Sequence, residues 1–172
     1  MKWFLIALAA PVLALAIVAM VGALLPRQHV ATRTIALRRS AGEVYALVRD
    51  VAAAPGWRTG VKRVELLPAR EGRALFRETG AHGAITYCVV AERPGEQFIT
   101  AIADEHLPFG GSWTYDFVAR PAGSELRITE HGEVKNVIFR CLARFVFGYE
   151  ATMETYLRDV ARKLGGAAEP RP

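Results

Sequence analysis

In this 172-residue chain, the leading candidate for a ligand-binding or acid–base residue is Glu130. In the β-like run 124–135, side-chain alternation places Glu130 on the same face as Leu126 and Ile128. A carboxyl group that continues an apolar face is unusual, because buried glutamates are nearly always paired. Such a group could orient a ligand hydroxyl or carry a proton in acid–base catalysis. The alternative is that the strand ends at the rim of the domain, where Glu130 meets water or an arginine.

Aromatic side chains form the second set of candidates. In the run 111–120 they lie on one strand face: Trp113, Tyr115 and Phe117. In the run 83–92, Tyr87 could donate a hydrogen bond to a ligand carbonyl, although such a ring more often packs in the core with its hydroxyl at the edge. If these faces point to the same side as Glu130, they form an aromatic wall beside a carboxylate.

Other kinds of chemistry are excluded by what the sequence lacks. It contains no GxSxG, GxxxxGK[ST], HExxH or GxGxxG motif, which mark hydrolase, phosphate, zinc and dinucleotide sites. The four histidines, including His82 in a glycine-flanked loop, form no i, i+4 pair, so neither a metal nor a cofactor is predicted. Cys88 fits a small core residue better than a nucleophile. The net charge of +5 is scattered, which argues against nucleic acid as a partner.

The hydrophobicity is concentrated at the amino end. Residues 3–25 contain no charged side chain; a helix of that length reaches about 35 Å, enough for a hydrocarbon core of ~30 Å. The pattern predicts a single transmembrane anchor over residues 1–26, with a cleaved signal peptide as the alternative. Four arginines follow it and favour a cytoplasmic domain: Arg27, Arg33, Arg38 and Arg39. The Arg- and Ala-rich composition is typical of bacteria, which places the anchor in the inner membrane.

Residues 27–166 are predicted to form one domain, followed by a flexible tail over 167–172. A first strand over 29–38 precedes a helix that Ser40 and Glu43 begin as a capping box. Six further β-like runs are separated by Gly- and Pro-rich turns: 61–67, 73–79, 83–92, 96–104, 111–120 and 124–135. A final helix has an apolar face at helical spacing, formed by Met153, Tyr156, Leu157, Val160, Ala161 and Leu164.

Four local strings add to this order of elements: SAGEVYALVRD at 40–50, PGWRTGVKRV at 55–64, GGSWTYDF at 110–117 and ELRITEHGEV at 125–134. Order and strings together resemble the START-like (SRPBCC) superfamily, and within it the polyketide cyclase/dehydrase and lipid-transport branch. The resemblance covers residues 29–165. It implies an α+β helix-grip fold, in which a curved, seven-stranded antiparallel sheet wraps around the long C-terminal helix.

The resemblance also implies what the chain binds. Such proteins hold a hydrophobic ligand, for example a lipid, a quinone, a sterol or a polyketide, between sheet and helix. A membrane-anchored binding protein for transport or sensing is therefore expected. One alternative is a cyclase- or dehydratase-like enzyme that uses Glu130, Tyr87 or Tyr115 on a carbonyl compound; another is an interaction module whose cavity is filled by its own side chains. The expected ligand contacts are Tyr87, Phe109, Trp113, Tyr115, Phe117, Glu130 and Phe145.

Two segments could control access to such a cavity. Residues 105–111 (EHLPFGG) place Phe109 among turn residues, either as a lid over the mouth or in an ordinary hairpin turn. Residues 137–149 (VIFRCLARFVFGY) are apolar on nearly every face except at Arg140 and Arg144, which are spaced to share one side. Because such a helix must be buried, oligomerise or meet lipid, two structures are predicted. Residues 138–147 either cap the pocket entrance and dock on a membrane, or form the first half of the gripping helix, broken near Gly148 and buried on the sheet.

Overall fold

The fold is described from a computed structural model that covers residues 2–81, 83–166 and 168–172. Side chains are described from residue 11 onward, except that of Phe147. The loop histidine His82 therefore lies outside the described residues. Along the chain the elements are a helix, a strand, two short helices, six strands and three helical segments.

Seven strands form one antiparallel sheet. They are β1 (Gln28–Leu37), β2 (Val61–Arg70), β3 (Arg73–Gly80), β4 (Gly83–Arg93), β5 (Gln97–Ile102), β6 (Phe109–Arg120) and β7 (Gly123–Val134). Their order is β1-β7-β6-β5-β4-β3-β2, so β1 and β2 are the two edges. Only the pairing of β1 with β7 joins strands that are distant in sequence, with Thr32 opposite Thr129. The predicted seven-stranded antiparallel sheet is confirmed.

The concave face of the sheet carries the core. The C-terminal helix α4 (Ala151–Lys163) lies across it and buries the apolar face predicted for it, including Met153, Leu157 and Val160. Ile35, Leu126 and Ile128 on the sheet are completely buried beneath the helices. Full burial of such a side chain stabilises the fold by about 1.5–3 kcal/mol. Glu130 continues this inward-facing row of β7, as the alternation predicted.

Helix α2 (Ala41–Arg49) begins at the predicted capping box. The Ser40 hydroxyl accepts a hydrogen bond from the Glu43 backbone amide at 3.3 Å. In return, the Glu43 carboxylate accepts one from the Ser40 backbone amide at 2.9 Å. Two amide donors at the helix start are thus satisfied locally.

A 3₁₀ helix, Val51–Gly56, leads from α2 to β2 and ends at Trp57. Asp159 on α4 holds the following turn, because it accepts hydrogen bonds from the Thr59 hydroxyl at 2.8 Å and from the Thr59 backbone amide. This contact fixes the position of Arg58, which lies between Trp57 and Thr59 and reaches the concave side of the sheet.

The chain between β7 and α4 forms two short helical pieces. Helix α3 (Val137–Leu142) is followed by a π-helical turn, Ala143–Phe147. Gly148 ends that turn with a φ of +72°, a conformation that favours glycine. The break near Gly148 agrees with the gripping-helix alternative, but Phe139, Phe145 and Val146 are exposed instead of buried on the sheet.

The two arginines of this segment do not share one side. Arg140 is buried, whereas Arg144 is exposed. The expectation of a common polar side is wrong, because the Arg140 side chain turns inward and donates hydrogen bonds to backbone carbonyl groups. Only Arg144 remains on the surface.

Helix α1 (Lys2–Leu24) precedes the domain. Within the described residues, no helix is both long and apolar enough to cross a membrane. The anchor predicted over residues 1–26 includes residues 1–10, whose side chains lie outside the described part of the chain. The anchor therefore stays a prediction.

The C-terminal residues contact the free edge of β1. Thr34 and Arg171 exchange two backbone hydrogen bonds of 2.8 Å. The Arg171 side chain also reaches the Glu125 carboxylate at 3.3 Å. The tail predicted to be flexible thus meets the sheet through Arg171 and covers part of an edge that would otherwise be open to pairing.

Candidate functional site

A cavity of about 390 Å³ lies between the concave face of the sheet and the helical segments at the C-terminal end. Its walls are mainly apolar and include Phe76, Ile85, Ile102 and Val134. A cavity of this size and character suits a small hydrophobic molecule. Because the chain's own side chains leave this space open, the alternative of an interaction module with a filled cavity loses its main support.

Glu130 forms the first charged end of the cavity. Its Oε1 lies 3.1 Å from Nε2 of His29 on the neighbouring strand β1. Its Oε2 accepts a hydrogen bond of 2.9 Å from Nε1 of Trp113. The side chains of His29 and Glu130 are both largely buried and both line the cavity. The carboxylate is thus held in one orientation by two partners, with an imidazole beside it.

Gly132 makes this arrangement possible. It lies opposite His29 in the register of β1 and β7. A methyl group at Gly132 would come within 2.2 Å of His29 Cε1, 2.4 Å of its Nε2 and 2.9 Å of Glu130 Oε1. Such distances are far below the optimum for non-bonded atoms. Any larger residue at this position would therefore push the imidazole away from the carboxylate.

Tyr149 covers the same end of the cavity. Its ring stacks on His29, with the ring centroids 3.7 Å apart and 18° between the planes. Phe109 and Phe139 also line the cavity, yet both are exposed on their outer side. They belong to the two segments predicted to control access, and they form the mouth.

An ion pair between Arg58 and Glu78 forms the second charged end. Nη1 of Arg58 contacts Oε1 of Glu78, and the guanidinium carbon lies 4.8 Å from the centre of the Tyr156 ring. Burial acts to lower the pKa of Arg58, but the charge and hydrogen bond of Glu78 together with the nearby Tyr156 and Tyr115 outweigh it, so the pKa is raised. Arg58 therefore stays cationic and could receive a carbonyl or carboxylate oxygen of a ligand.

Tyr87 and Tyr115 line the cavity between the two ends. Burial, with a smaller contribution from Glu78, raises the pKa of Tyr87 to about 12. Burial also raises the pKa of Tyr115, and neighbouring Tyr156 adds to the shift. Both hydroxyls therefore remain protonated near neutral pH. They can donate hydrogen bonds or protons, but they are not bases.

The two charged ends lie four strands apart. Glu130 is on β7 and Glu78 is on β3, with β6, β5 and β4 between them. At about 4.8 Å per strand, the path along the concave surface is about 19 Å, and the curvature of the sheet shortens the direct distance. This geometry fits an elongated ligand with polar atoms towards both ends.

Five of the predicted ligand contacts line this cavity: Tyr87, Phe109, Trp113, Tyr115 and Glu130. Phe117 also faces inward, but it is buried in the core, where the Tyr45 ring meets it edge-on at 5.4 Å. Phe145 is 67% exposed on the π-helical turn and lies outside the cavity lining.

Sequence reasoning missed three groups of the site: His29, Arg58 and Glu78. Glu78 lies two residues after Phe76 on β3, so the two side chains share one face of the strand. A glutamate that continues an apolar face is the same signal that selected Glu130. His29 shares the inward alternation of β1 with Ile35, which would have placed it on the cavity side. Arg58 gave no comparable signal, because it lies in a turn.

The titratable groups of the cavity do not form a metal centre. Across residues 2–81, 83–166 and 168–172, no group of three His, Cys, Asp or Glu side chains is placed to hold a metal ion. The three carboxylates that line the cavity, Glu130, Glu78 and Glu133, are paired with His29, Arg58 and Arg27 respectively. Such pairs suit the recognition of polar ligand atoms.

The chain belongs to the polyketide cyclase/dehydrase and lipid transport family, which it matches over residues 28–169. This range contains the whole sheet, both charged ends of the cavity and α4. None of the curated proteins matches the chain.

Solved structures show the same fold. The Zhui aromatase/cyclase from a Streptomyces species has a TM-score of 0.64 and 14% identity, covering 81% of this chain and 99% of that chain. A START superfamily protein from Mycobacterium smegmatis has a TM-score of 0.63 and 19% identity, covering 79% and 97%. The chain spans 50% of the di-domain aromatase/cyclase StfQ of the steffimycin biosynthetic pathway, with 77% of this chain covered, 14% identity and a TM-score of 0.63. These likenesses show the helix-grip fold.

Proposed function

We propose that this chain binds an elongated hydrophobic compound with polar groups towards both ends. The observation that carries the proposal is the cavity of about 390 Å³, whose walls are apolar and whose opposite ends hold Glu130 and Arg58. Burial of apolar ligand surface contributes about 25 cal/mol per Å² before the costs of binding. The charged ends would fix the orientation of the ligand. Lipids, quinones and polyketide-like compounds have this shape and polarity.

The proposal places this binding at a bacterial inner membrane. The uncharged residues 3–25 would anchor the chain as a single-pass protein, with its domain on the cytoplasmic side. A hydrophobic ligand partitions into lipid, so an anchored binding protein could draw it from the adjacent leaflet or deliver it there. Transport or sensing of the ligand is the role that such binding would serve.

Blocking the cavity is expected to abolish ligand binding. Ile102→Trp would fill the cavity, whereas Val90→Trp places the same side chain at an exposed position outside the lining. The full chain is purified in nanodiscs of one synthetic lipid and extracted, and any other compound is identified by mass spectrometry. We expect a defined hydrophobic compound from the parent chain and from Val90→Trp, and none from Ile102→Trp. An empty parent chain, or equal recovery from both variants, would contradict the proposal.

The pairing of Glu130 with His29 favours an enzyme as the second candidate. Both groups line the same cavity as the Tyr87 hydroxyl, which stays protonated. A paired carboxylate and imidazole can take a proton from the carbon next to a carbonyl group. A tyrosine hydroxyl can stabilise the oxygen that becomes negative. This is the proton chemistry that a cyclase or dehydratase acting on a carbonyl compound requires.

Two variants test the enzyme candidate. One separates His29 from Glu130 while keeping both side chains, and the other removes the carboxylate. Gly132→Ala would displace the His29 ring from the carboxylate, and Glu130→Gln would remove the charge. For an enzyme we expect each variant to slow the enolisation of benzoylacetone, followed by absorbance, by about 10²-fold. Gly42→Ala is the matched control, because a methyl group there meets no atom within 4 Å. Equal rates in all four proteins, or no rate above that of buffer in the parent, would exclude this candidate.

A further inference from the structure

A large apolar surface is exposed at one end of the molecule. On α1 the exposed large side chains cover more than half of the helix circumference: Val12, Leu13, Leu15, Ile17, Met20 and Leu24. On the segment between β7 and α4, Phe139, Phe145 and Val146 are 49%, 67% and 66% exposed. Monomeric soluble proteins rarely leave such a surface open, so it marks contact with a partner or a membrane.

The end of α1 packs directly on α3. A methyl group at Gly22 would lie 1.8 Å from the carbonyl oxygen of Val137, so only glycine permits this approach of the two backbones. The contact joins the exposed part of α1 to the exposed part of the chain after β7. The two apolar regions therefore form one continuous surface.

Arg140 stabilises this contact between α1 and α3, which is called the α1–α3 joint below. Its side chain is almost entirely buried, and its Nη1 donates to the carbonyl oxygens of Gly22 and Leu25, each at 3.0 Å. Its Nε donates to the Val134 carbonyl at 3.1 Å and its Nη2 to the Lys135 carbonyl at 3.3 Å. The last carbonyl groups of a helix carry partial negative charge, so a guanidinium is a favourable cap for α1. Arg140 thus fixes α1, the end of β7 and α3 relative to one another.

The same joint lies at the mouth of the cavity. Phe139 on α3 and Ala143 at the start of the π-helical turn line the cavity, while Phe145 and Val146 follow on its outer side. Arg144 is exposed among them. The mouth therefore opens at the surface where α1 leaves the domain.

We propose that this surface docks on a lipid bilayer, with Phe145 and Val146 inserted beside α1 and the mouth of the cavity facing the lipid. The inference rests on the proposed membrane-anchored ligand binding and adds the route by which the ligand enters. Lipid is the occupant because residues 3–25 offer no charged face, whereas a helix that packs on a soluble protein usually keeps a polar side towards water. Arg144 lies where a cationic side chain can meet lipid phosphate.

Site-specific fluorescence on the full chain tests the docking. Cys88 and Cys141 are replaced by alanine, and one cysteine is introduced by Phe145→Cys or, as the control, by Leu66→Cys. Leu66 is as exposed as Phe145, at 65%, but lies on the edge strand β2 at the opposite side of the sheet. Each protein is labelled with NBD and reconstituted into phosphatidylcholine–phosphatidylglycerol vesicles that contain nitroxide-labelled lipid. We expect a loss of fluorescence at position 145 and none at position 66.

Arg140→Met and Gly22→Leu test the coupling between α1 and the mouth. The first removes the donors that cap α1, and the second separates the backbones of α1 and α3 by steric contact. Both leave the apolar run of residues 3–25 uncharged. Flotation of the vesicles in a density gradient shows whether the chain is still anchored. With either variant we expect the chain to float with the vesicles, but the nitroxide lipid should no longer quench the NBD fluorescence at position 145.

The outcomes separate the docking from the proposal on which it rests. A chain that floats but shows no quenching at position 145, or equal quenching at position 66, overturns the docking and leaves anchored ligand binding intact. A chain that does not float overturns both the anchor and the docking, and the extraction experiment then judges ligand binding separately. A concentration-dependent spectral shift without nitroxide quenching assigns the surface to a second copy of the chain and overturns the docking.

Discussion

Replacing Glu78 by Gln is expected to lower the free energy of unfolding by about 3 kcal/mol, because it leaves the guanidinium of Arg58 buried without its counter-charge. Both side chains of the pair are largely buried, and the guanidinium carbon lies 4.8 Å from the centre of the Tyr156 ring, so water replaces the lost carboxylate poorly. Urea unfolding followed by far-UV circular dichroism measures the loss. Glu92→Gln is the matched control, since its ion pair with Arg49 is more exposed and surface pairs contribute ~1 kcal/mol or less.

The double variant Arg58→Met/Glu78→Leu separates the stability of this end from its role in binding. Replacing a buried ion pair by apolar side chains of similar volume is often neutral for stability. We therefore expect it to unfold near the parent's midpoint, yet to lose the ligand that the extraction experiment recovers. A Glu78→Gln variant as stable as the parent would show that Arg58 is well solvated. A double variant that keeps its ligand would show that this end does not hold polar ligand atoms.

The fold was predictable because its signals are local. Strand alternation, Gly- and Pro-rich turns and the apolar spacing of α4 each lie within a short stretch of chain. Ser40 and Glu43 marked the start of α2 to the residue. The pairing of β1 with β7 is different, because it joins the first strand to the last. Only the resemblance to a known fold family implied that closure of the sheet.

The candidate site was only partly predictable because its pairs join distant parts of the chain. Glu130 stood out because it continues an apolar face, but its partner His29 is 101 residues away and arrives through the register of β1 and β7. Gly132 shows the same limit, since its need to be small arises only when His29 lies across it. A residue's own face can be inferred from sequence, whereas its partner on another strand cannot.

No sequence pattern predicted the α1–α3 joint that Arg140 stabilises. An arginine paired with a carboxylate can be anticipated from charge patterns, but the acceptors of Arg140 are backbone carbonyl groups, which every residue carries. Its spacing from Arg144 indicated a shared exposed side. The acceptors on Gly22 and Leu25, 118 and 115 residues away, turn Arg140 inward instead. Such a contact depends on tertiary packing and not on the local pattern.

Asp159→Ala is expected to lower the free energy of unfolding by about 2 kcal/mol, since hydrogen bonds to a charged group contribute about 1.5–3 kcal/mol. Asp159 is almost completely buried, where it accepts hydrogen bonds from the hydroxyl and the backbone amide of Thr59 and pairs with Arg162. Glu154→Ala on the same helix is the control. Its pairs with Arg33 and Arg158 are more exposed, so the expected loss in urea unfolding is smaller.

The consequence of Asp159→Ala for binding follows from the position of Arg58 next to Thr59. Once the turn is released, the guanidinium should lose its fixed place at the second charged end of the cavity, and ligand recovery should fall even at temperatures where the variant is fully folded. Full recovery from the folded variant would show that Glu78 and the Tyr156 ring suffice to hold Arg58. The helix that grips the sheet would then contribute to this end of the cavity through its apolar face alone.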